Sequence, residues 1–152
     1  MFLLESDELL EHTSNIVHED TQKQKLNLDL TISKIFSFTE AGSLDFGGSE
    51  FEEAGGKYIE PVKQSTNADY GWWILKEGTY QAIFNESLHN LEDTLVAISL
   101  HEHASKAGII ANSRILTPDH SVDEISINFQ VPTNGCNIKE NARFATLHLI
   151  AD

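Results

Sequence analysis

Ile125-Ser126-Ile127-Asn128-Phe129-Gln130-Val131 sets an apolar residue at every second position and a polar one between. Side chains of a strand point alternately to its two faces, so this stretch predicts a strand with one face in a core and one in water. Working outward, Leu26, Leu28, Leu30 and Ile32 alternate in the same way with Asn27, Asp29 and Thr31. Residues 80–84 and 95–100 are short runs rich in apolar, β-favouring types, and 143–150 reads as a last strand buried on both sides in places. Turn signals separate these runs: Gly42-Ser43, Gly47-Gly48, Gly55-Gly56, Asn67-Ala68-Asp69 and Asn134-Gly135. Many short strands with frequent turns predict an all-β barrel or sandwich. One short N-terminal helix is expected over 6–11, with Ser6 or Asp7 as its N-cap and acids in its first turn. After it the helical signal fades. Residues 38–73 have weak periodicity and read as loops with one or two irregular strands. The pair Trp72-Trp73 reads as a core or interface anchor, or as a stacking platform for a ligand.

A chain of 152 residues is one domain's worth, so 1–152 is read as a single domain. Such a domain buries roughly 70% of its unfolded surface and needs no disulfide to hold a core. Cys136 is the one cysteine, which excludes an intrachain disulfide. It sits in a turn region with no adjoining base, a poor setting for a nucleophile. Acidic residues number 24 and Lys plus Arg 10, a net charge of −14, and only Arg114 and Arg143 are arginines. That surface repels nucleic-acid backbones and anionic membranes, whose binding rests on Lys and Arg. The acidity reads either as ordinary solubility or as adaptation to a saline cytoplasm. No apolar run approaches the ~20 residues of a membrane-spanning helix. The opening Met1-Phe2-Leu3-Leu4-Glu5 lacks a basic leader, so a soluble, cytoplasmic protein is expected.

Four segments carry more than periodicity. Gln24 to Ile32 holds an Asp29-Leu30 pair in an early strand. Lys76-Glu77-Gly78-Thr79-Tyr80 is a turn leading into a strand. Glu86 is followed by the turn Asn90-Leu91-Glu92-Asp93. Asn141-Ala142-Arg143-Phe144-Ala145-Thr146-Leu147 forms the last strand. In order and spacing these resemble the dUTPase and dCTP deaminase superfamily, over nearly the whole chain except about 38–73. The resemblance implies a distorted β-barrel or jelly roll (the dUTPase-like β-clip) that assembles as a homotrimer with sites between subunits. It implies hydrolysis of a deoxynucleoside triphosphate to monophosphate and pyrophosphate with Mg²⁺, or deamination of dCTP. It also implies a glycine-rich C-terminal arm, which a sequence ending at Asp152 is expected to lack.

The resemblance assigns site positions, and most hold altered residues. The family's phosphate-binding Arg-Ser-Ser falls on His101-Glu102-His103. An arginine there would clamp phosphate bidentately, whereas a histidine is mostly neutral near pH 7. Glu102 against phosphate at ~4 Å and an effective dielectric near 20 costs about 4 kcal/mol. A bridging Mg²⁺ would reverse that sign, which makes Glu102 and Asp29 the candidate metal ligands. Asp29 reads alternatively as a strand residue that caps a neighbouring turn. The catalytic Asp falls on Thr117, which cannot act as a base, and Asp119 lies two residues on as its replacement. Loss of a general base commonly costs about 10²–10⁴-fold. Asn112 falls on the hairpin that holds the base, or is a plain turn residue. His120 takes the place of an aromatic that packs on deoxyribose. Asn128 replaces the deaminases' Glu and cannot accept a proton. Thr146 replaces the Gln of the last-strand motif. Arg143 is retained and orders subunit or loop contacts, or a ligand.

Two further readings stand beside hydrolysis. The chain is a fold relative that has lost catalysis and serves in binding or assembly, or it is a metal-binding jelly roll. The second uses His101 and His103, which on a strand would share a face, together with His120.

Overall fold

The structure is a computed structural model that describes residues 1–152. Its elements run β1 (Phe2–Leu3), α1 (Ser6–Glu11), β2 (Thr13–Ser14), α2 (Glu19–Gln22), β3 (Leu28–Phe38), β4 (Gly56–Tyr58), β5 (Trp72–Leu75), β6 (Gly78–Phe84) and β7 (Ser87–Leu88). There follow β8 (Leu95–Leu100), α3 (Glu102–Lys106), β9 (Arg114–Leu116), β10 (Ser126–Val131), β11 (Cys136–Lys139) and β12 (Arg143–Ala151). The main sheet has the order β10-β6-β3-β12-β8-β9, antiparallel throughout, with β1 added on β12 and β4 on β3. It curls into a nearly closed barrel, as the alternation predicts.

The long strand β3 organises the curl. Its first half pairs with β12, Thr31 opposite Arg143 and Asp29 opposite Thr146. Its second half pairs with β6, Ile32 opposite Phe84 and Ser37 opposite Tyr80. A bulge between Ile32 and Lys34 and another between Arg143 and Ala145 sit at the changeover. An extra residue on one strand bends it and raises its twist, which is how a sheet this small turns a corner.

The inner face is the one the sequence marks. Ile127, Phe129 and Val131 of β10 are buried, while Ser126, Asn128 and Gln130 are not. Across the core the rings run Tyr80 on Phe129 at 5.6 Å, Phe129 on Phe144 at 4.9 Å and Phe144 on Phe84 at 6.1 Å. Trp73 is buried and donates Nε1–H to the Ile59 carbonyl at 2.8 Å, so it anchors the 38–73 segment to the core. Trp72 is half-exposed, with Lys139 Nζ 5.7 Å above its ring.

Three expectations change. The cap of α1 is Glu5, with no side-chain cap bond, and Ser6 begins the helix. α2 and α3 exist although the pattern gave no sign of them. At four and five residues they are shorter than the window in which helical periodicity shows. The third change bears on the histidines. His101 and His103 do not share a strand face, because β8 ends at Leu100 and α3 begins at Glu102.

Candidate functional site

His101 is the N-cap of α3. Its Nδ1 accepts the His103 backbone N–H at 2.9 Å, which satisfies one of the free donors of a helix start. That acceptor role places the ring proton on Nε2, which lies 3.4 Å from Asp29 Oδ2. Burial holds the His101 imidazole below its ordinary range. The attraction of Asp29 opposes this, and His103 and Arg143 add to it. The ring is therefore neutral at pH 7.

Asp29 is buried on β3 and gathers donors from every side. Arg143 Nη1 lies at 3.1 Å and Gln24 Nε2 at 3.4 Å from Oδ2, and Asn27 Nδ2 lies 3.4 Å from Oδ1. The carboxylate thus ties the turn before β3 to the first residue of β12. These contacts form the floor of an open polar pocket of about 380 Å³ whose lining also includes Glu102, His103 and Thr146. Thr146 shares its hydroxyl with Ser99 on the neighbouring strand at 2.8 Å.

Six residues picked out by sequence are therefore neighbours here: Asp29, His101, Glu102, His103, Arg143 and Thr146. Their chemistry differs from the metal expectation. Mg²⁺ takes hard oxygen ligands in a near-ideal octahedron. Both Asp29 oxygens are already engaged by N–H donors, and Glu102 Oε1 is held by Lys106 Nζ at 2.7 Å. Asp29 is therefore not a free ligand in this arrangement, and Glu102 offers only its exposed second oxygen. The jelly-roll metal reading fails on the same ground. Both His101 nitrogens are committed, His120 lies on another loop, and no group of three His, Cys, Asp or Glu side chains is placed to hold an ion.

A second site lies on the outer face of β6 and β10. Gln81 and Asn128 are directly opposed, as are Thr79 and Gln130. The loop 109–113 folds over them, held by the mutual hydrogen bonds of Ile110 and Gln130 at 3.1 and 2.7 Å. Asn112 and Asn128 line two adjoining pockets, of about 380 and 280 Å³, with Gln81 in one and Gln130 in the other. Arg114 closes one end and donates to the Ser126 carbonyl at 2.8 Å. Asn112 does not have a positive φ, so the backbone does not require an asparagine there. Sequence reading missed Gln81 and Gln130. The β6 and β10 alternation put both on the outer face, but nothing in it marked that face as a groove.

Thr117 and Asp119 lie elsewhere, lining a pocket with Asp93 and Thr94. His120 is exposed, its carbonyl accepting the Leu91 N–H at 2.8 Å. On one copy the three groups share no lining residue.

Comparison with known proteins finds similarity first in the fold and then in the sequence. In the fold, a 2'-deoxycytidine 5'-triphosphate deaminase from Agrobacterium tumefaciens superposes with a TM-score of 0.67 at 11% identity, covering 97% of this chain and 47% of that one. In the sequence, a probable deoxyuridine 5'-triphosphate nucleotidohydrolase of Methanosarcina mazei is 38% identical over 85 residues, 56% of this chain. One of Methanosarcina barkeri, also named probable, is 27% identical over 134 residues, 88% of this chain. The chain spans 46% of the length of the first and 74% of the second. No protein-family model matches it. The named relatives and the shared fold together support the dUTPase and dCTP deaminase superfamily for this chain.

Proposed function

We propose that this chain is a dUTPase-like protein of deoxynucleotide metabolism that takes a deoxynucleoside triphosphate between copies of a homotrimer. The observation that carries the reading is the amide-lined groove, in which Asn112 and Asn128 meet Gln81 and Gln130. A carboxamide offers both a donor and an acceptor, the pattern that pairs with the edge of a pyrimidine. The Asp29 pocket, with Arg143 and two histidines, faces the phosphates. Asp119, exposed and without a hydrogen-bond partner, comes from another copy to orient water for release of pyrophosphate. Asn128 cannot shuttle a proton, which argues against deamination.

A second reading is favoured by one observation. Both Asp29 oxygens are engaged, so the pocket that would carry Mg²⁺ offers it no carboxylate beyond the exposed second oxygen of Glu102. On that reading the nucleotide binds and is not turned over. Pyrophosphate release from a panel of deoxynucleoside triphosphates, with and without Mg²⁺, separates the two. Turnover of dUTP or dCTP that Asp119→Asn abolishes supports hydrolysis. Saturable binding without release supports the second reading. Neither binding nor release, in a protein shown to be folded, ends both.

A further inference from the structure

Between Phe38 and Gly56 the chain leaves the sheet as a hairpin that holds itself together and touches little else. Ser43 and Glu52 exchange backbone hydrogen bonds at 3.0 and 3.1 Å, and Ser43 Oγ donates to the Glu50 carbonyl at 2.6 Å. At the tip Asp45 accepts the N–H groups of Gly48 and Glu50, both at 3.0 Å, and Gly48 takes φ +92°, a region that favours glycine. This ordered tip turns its apolar side chains outward. Leu44 is 89% exposed, Phe46 wholly so, and Phe51 about half. Residues 39–54 carry five acids, Glu40, Asp45, Glu50, Glu52 and Glu53, and no base.

The same chain carries a surface of opposite character. An apolar pocket of about 210 Å³ has Trp72, Ala104, Ile109, Ile138 and Phe144 among its walls, and its rim includes His103, Lys139 and Arg143. An apolar cavity of about 150 Å³ is enough to take up benzene, so this one has room for a single phenyl ring. On a surface of net charge −14, an apolar floor bordered by Lys139 and Arg143 offers an acidic arm charge of the opposite sign. Phe46 does not fill the pocket of its own chain, because it is fully exposed.

We infer that the 39–54 hairpin is a clasp between copies: Phe46 of one copy seats in the Trp72–Phe144 pocket of another, with the hairpin acids against Lys139 and Arg143. The proposal rests on the homotrimer reading and adds a specific contact to it. Its consequence is a link between assembly and site, since His103 and Arg143 line both this pocket and the Asp29 pocket. The neighbour's hairpin walls the side of the polar pocket.

Cys136 lines the apolar pocket and is the one thiol, so it reports occupancy directly. The test compares wild type with Phe46→Ser and with Ala107→Trp, which blocks the pocket mouth. Both positions are exposed, so both variants are expected to fold, which circular dichroism checks. Mass is read by light scattering and Cys136 alkylation by mass spectrometry at matched concentration. The proposal expects an assembled wild type with a protected thiol. In both variants it expects alkylation at least tenfold faster and an assembly that dissociates at tenfold higher concentration. Faster alkylation with an unchanged mass supports the clasp as a contact that assembly does not need. An assembled wild type with unchanged mass and alkylation in Phe46→Ser overturns the clasp and leaves the trimer reading standing. Changed mass with unchanged alkylation overturns the pocket as the seat of Phe46. A wild type that is monomeric at every concentration overturns the clasp and the trimer together.

Discussion

Asp29 and Glu86 are two carboxylates buried to the same degree at the start of β3, one carried by that strand and one bonded to its Thr31, and their surroundings are opposite. Asp29 faces Arg143 and His101 at the foot of an open pocket. Glu86 faces only neutral donors. Its Oε1 accepts the Thr31 N–H at 2.8 Å, and its Oε2 accepts the Thr31 hydroxyl at 2.6 Å and Gln22 Nε2 at 2.9 Å. Burial raises the Glu86 carboxyl above its ordinary range, and the hydrogen bonds from Thr31 and Gln22 recover only part of that. The contrast shows how one residue type divides its work. A carboxylate held by one cation and neutral donors beside solvent fixes the geometry of a site. One held by hydroxyl and amide groups in the dark fixes the fold, here by stitching α2 to β3 and to the turn after β6.

The sharpest way to break the comparison is to remove each carboxylate's support. Glu86→Ala leaves the buried Thr31 N–H without an acceptor and removes the acceptor of the Thr31 hydroxyl and one of the two that Gln22 Nε2 uses, at a cost of about 3 kcal/mol. In a chain of this length that is a fall of roughly 6–12 °C in Tm by calorimetry. Arg143→Met leaves Asp29 with weaker donors. Its cost is about 1–2 kcal/mol, discounted because the guanidinium is partly exposed. The two variants separate by function: Arg143→Met weakens nucleotide binding, while Glu86→Ala lowers Tm with affinity unchanged in the fraction still folded. Equal losses of affinity would mean that Glu86 supports the site as directly as Arg143 does.

Titration sharpens the same contrast, because the two environments pull stability in opposite directions with pH. Glu86 titrates higher in the fold than in the unfolded chain. Its stabilising contribution is complete below the unfolded carboxyl value and is lost as pH rises through the raised value. His101 titrates lower in the fold. Its contribution is complete above the unfolded value of about 6.5 and is lost as pH falls below it. The two changes overlap between the ordinary carboxyl and imidazole ranges and oppose each other, so urea unfolding from pH 4 to 8 reads their sum in the wild type and each alone in the variants. Glu86→Gln removes the loss that comes with rising pH, and His101→Asn removes the loss that comes with falling pH.

How much of this was legible depends on whether period two survived. β8 and β10 keep it, and Val96, Ile98, Ile127 and Phe129 stand in the core as the alternation says. β3 loses it at the bulge after Ile32, so its second half, through Lys34 and Phe36, was not visible as strand. Trp72-Trp73-Ile74-Leu75 is apolar at every position and shows no alternation, although Ile74 is exposed between buried Trp73 and Leu75. The neighbours of Asp29 came from order and spacing along the chain, which a sequence displays. The burial of Glu86 and the outward clasp of Phe46 are properties of packing, and no local pattern announces them. The His101 cap lay between: the residue was marked, but its role depends on a five-residue helix too short to leave a period.

The smallest effect tests whether the Asp29 pocket faces phosphate at all. Glu102 is exposed and pairs with Lys106 one turn along α3, and this pairing lowers its carboxyl. Glu102→Gln removes an anion from the pocket rim and releases the Lys106 ammonium, while the helix cap at His101 stays in place. Stability should not change. Affinity for a triphosphate should rise modestly at low salt, since a like charge leaves the rim of a site that takes an anion. The gain should fade as salt shortens the screening length from about 30 Å at 0.01 M to 8 Å at 0.15 M. A gain that persists at high salt would come from contact and not from field. No gain at either salt would place the phosphates away from Glu102, leaving the amide groove as the sole nucleotide determinant on this copy.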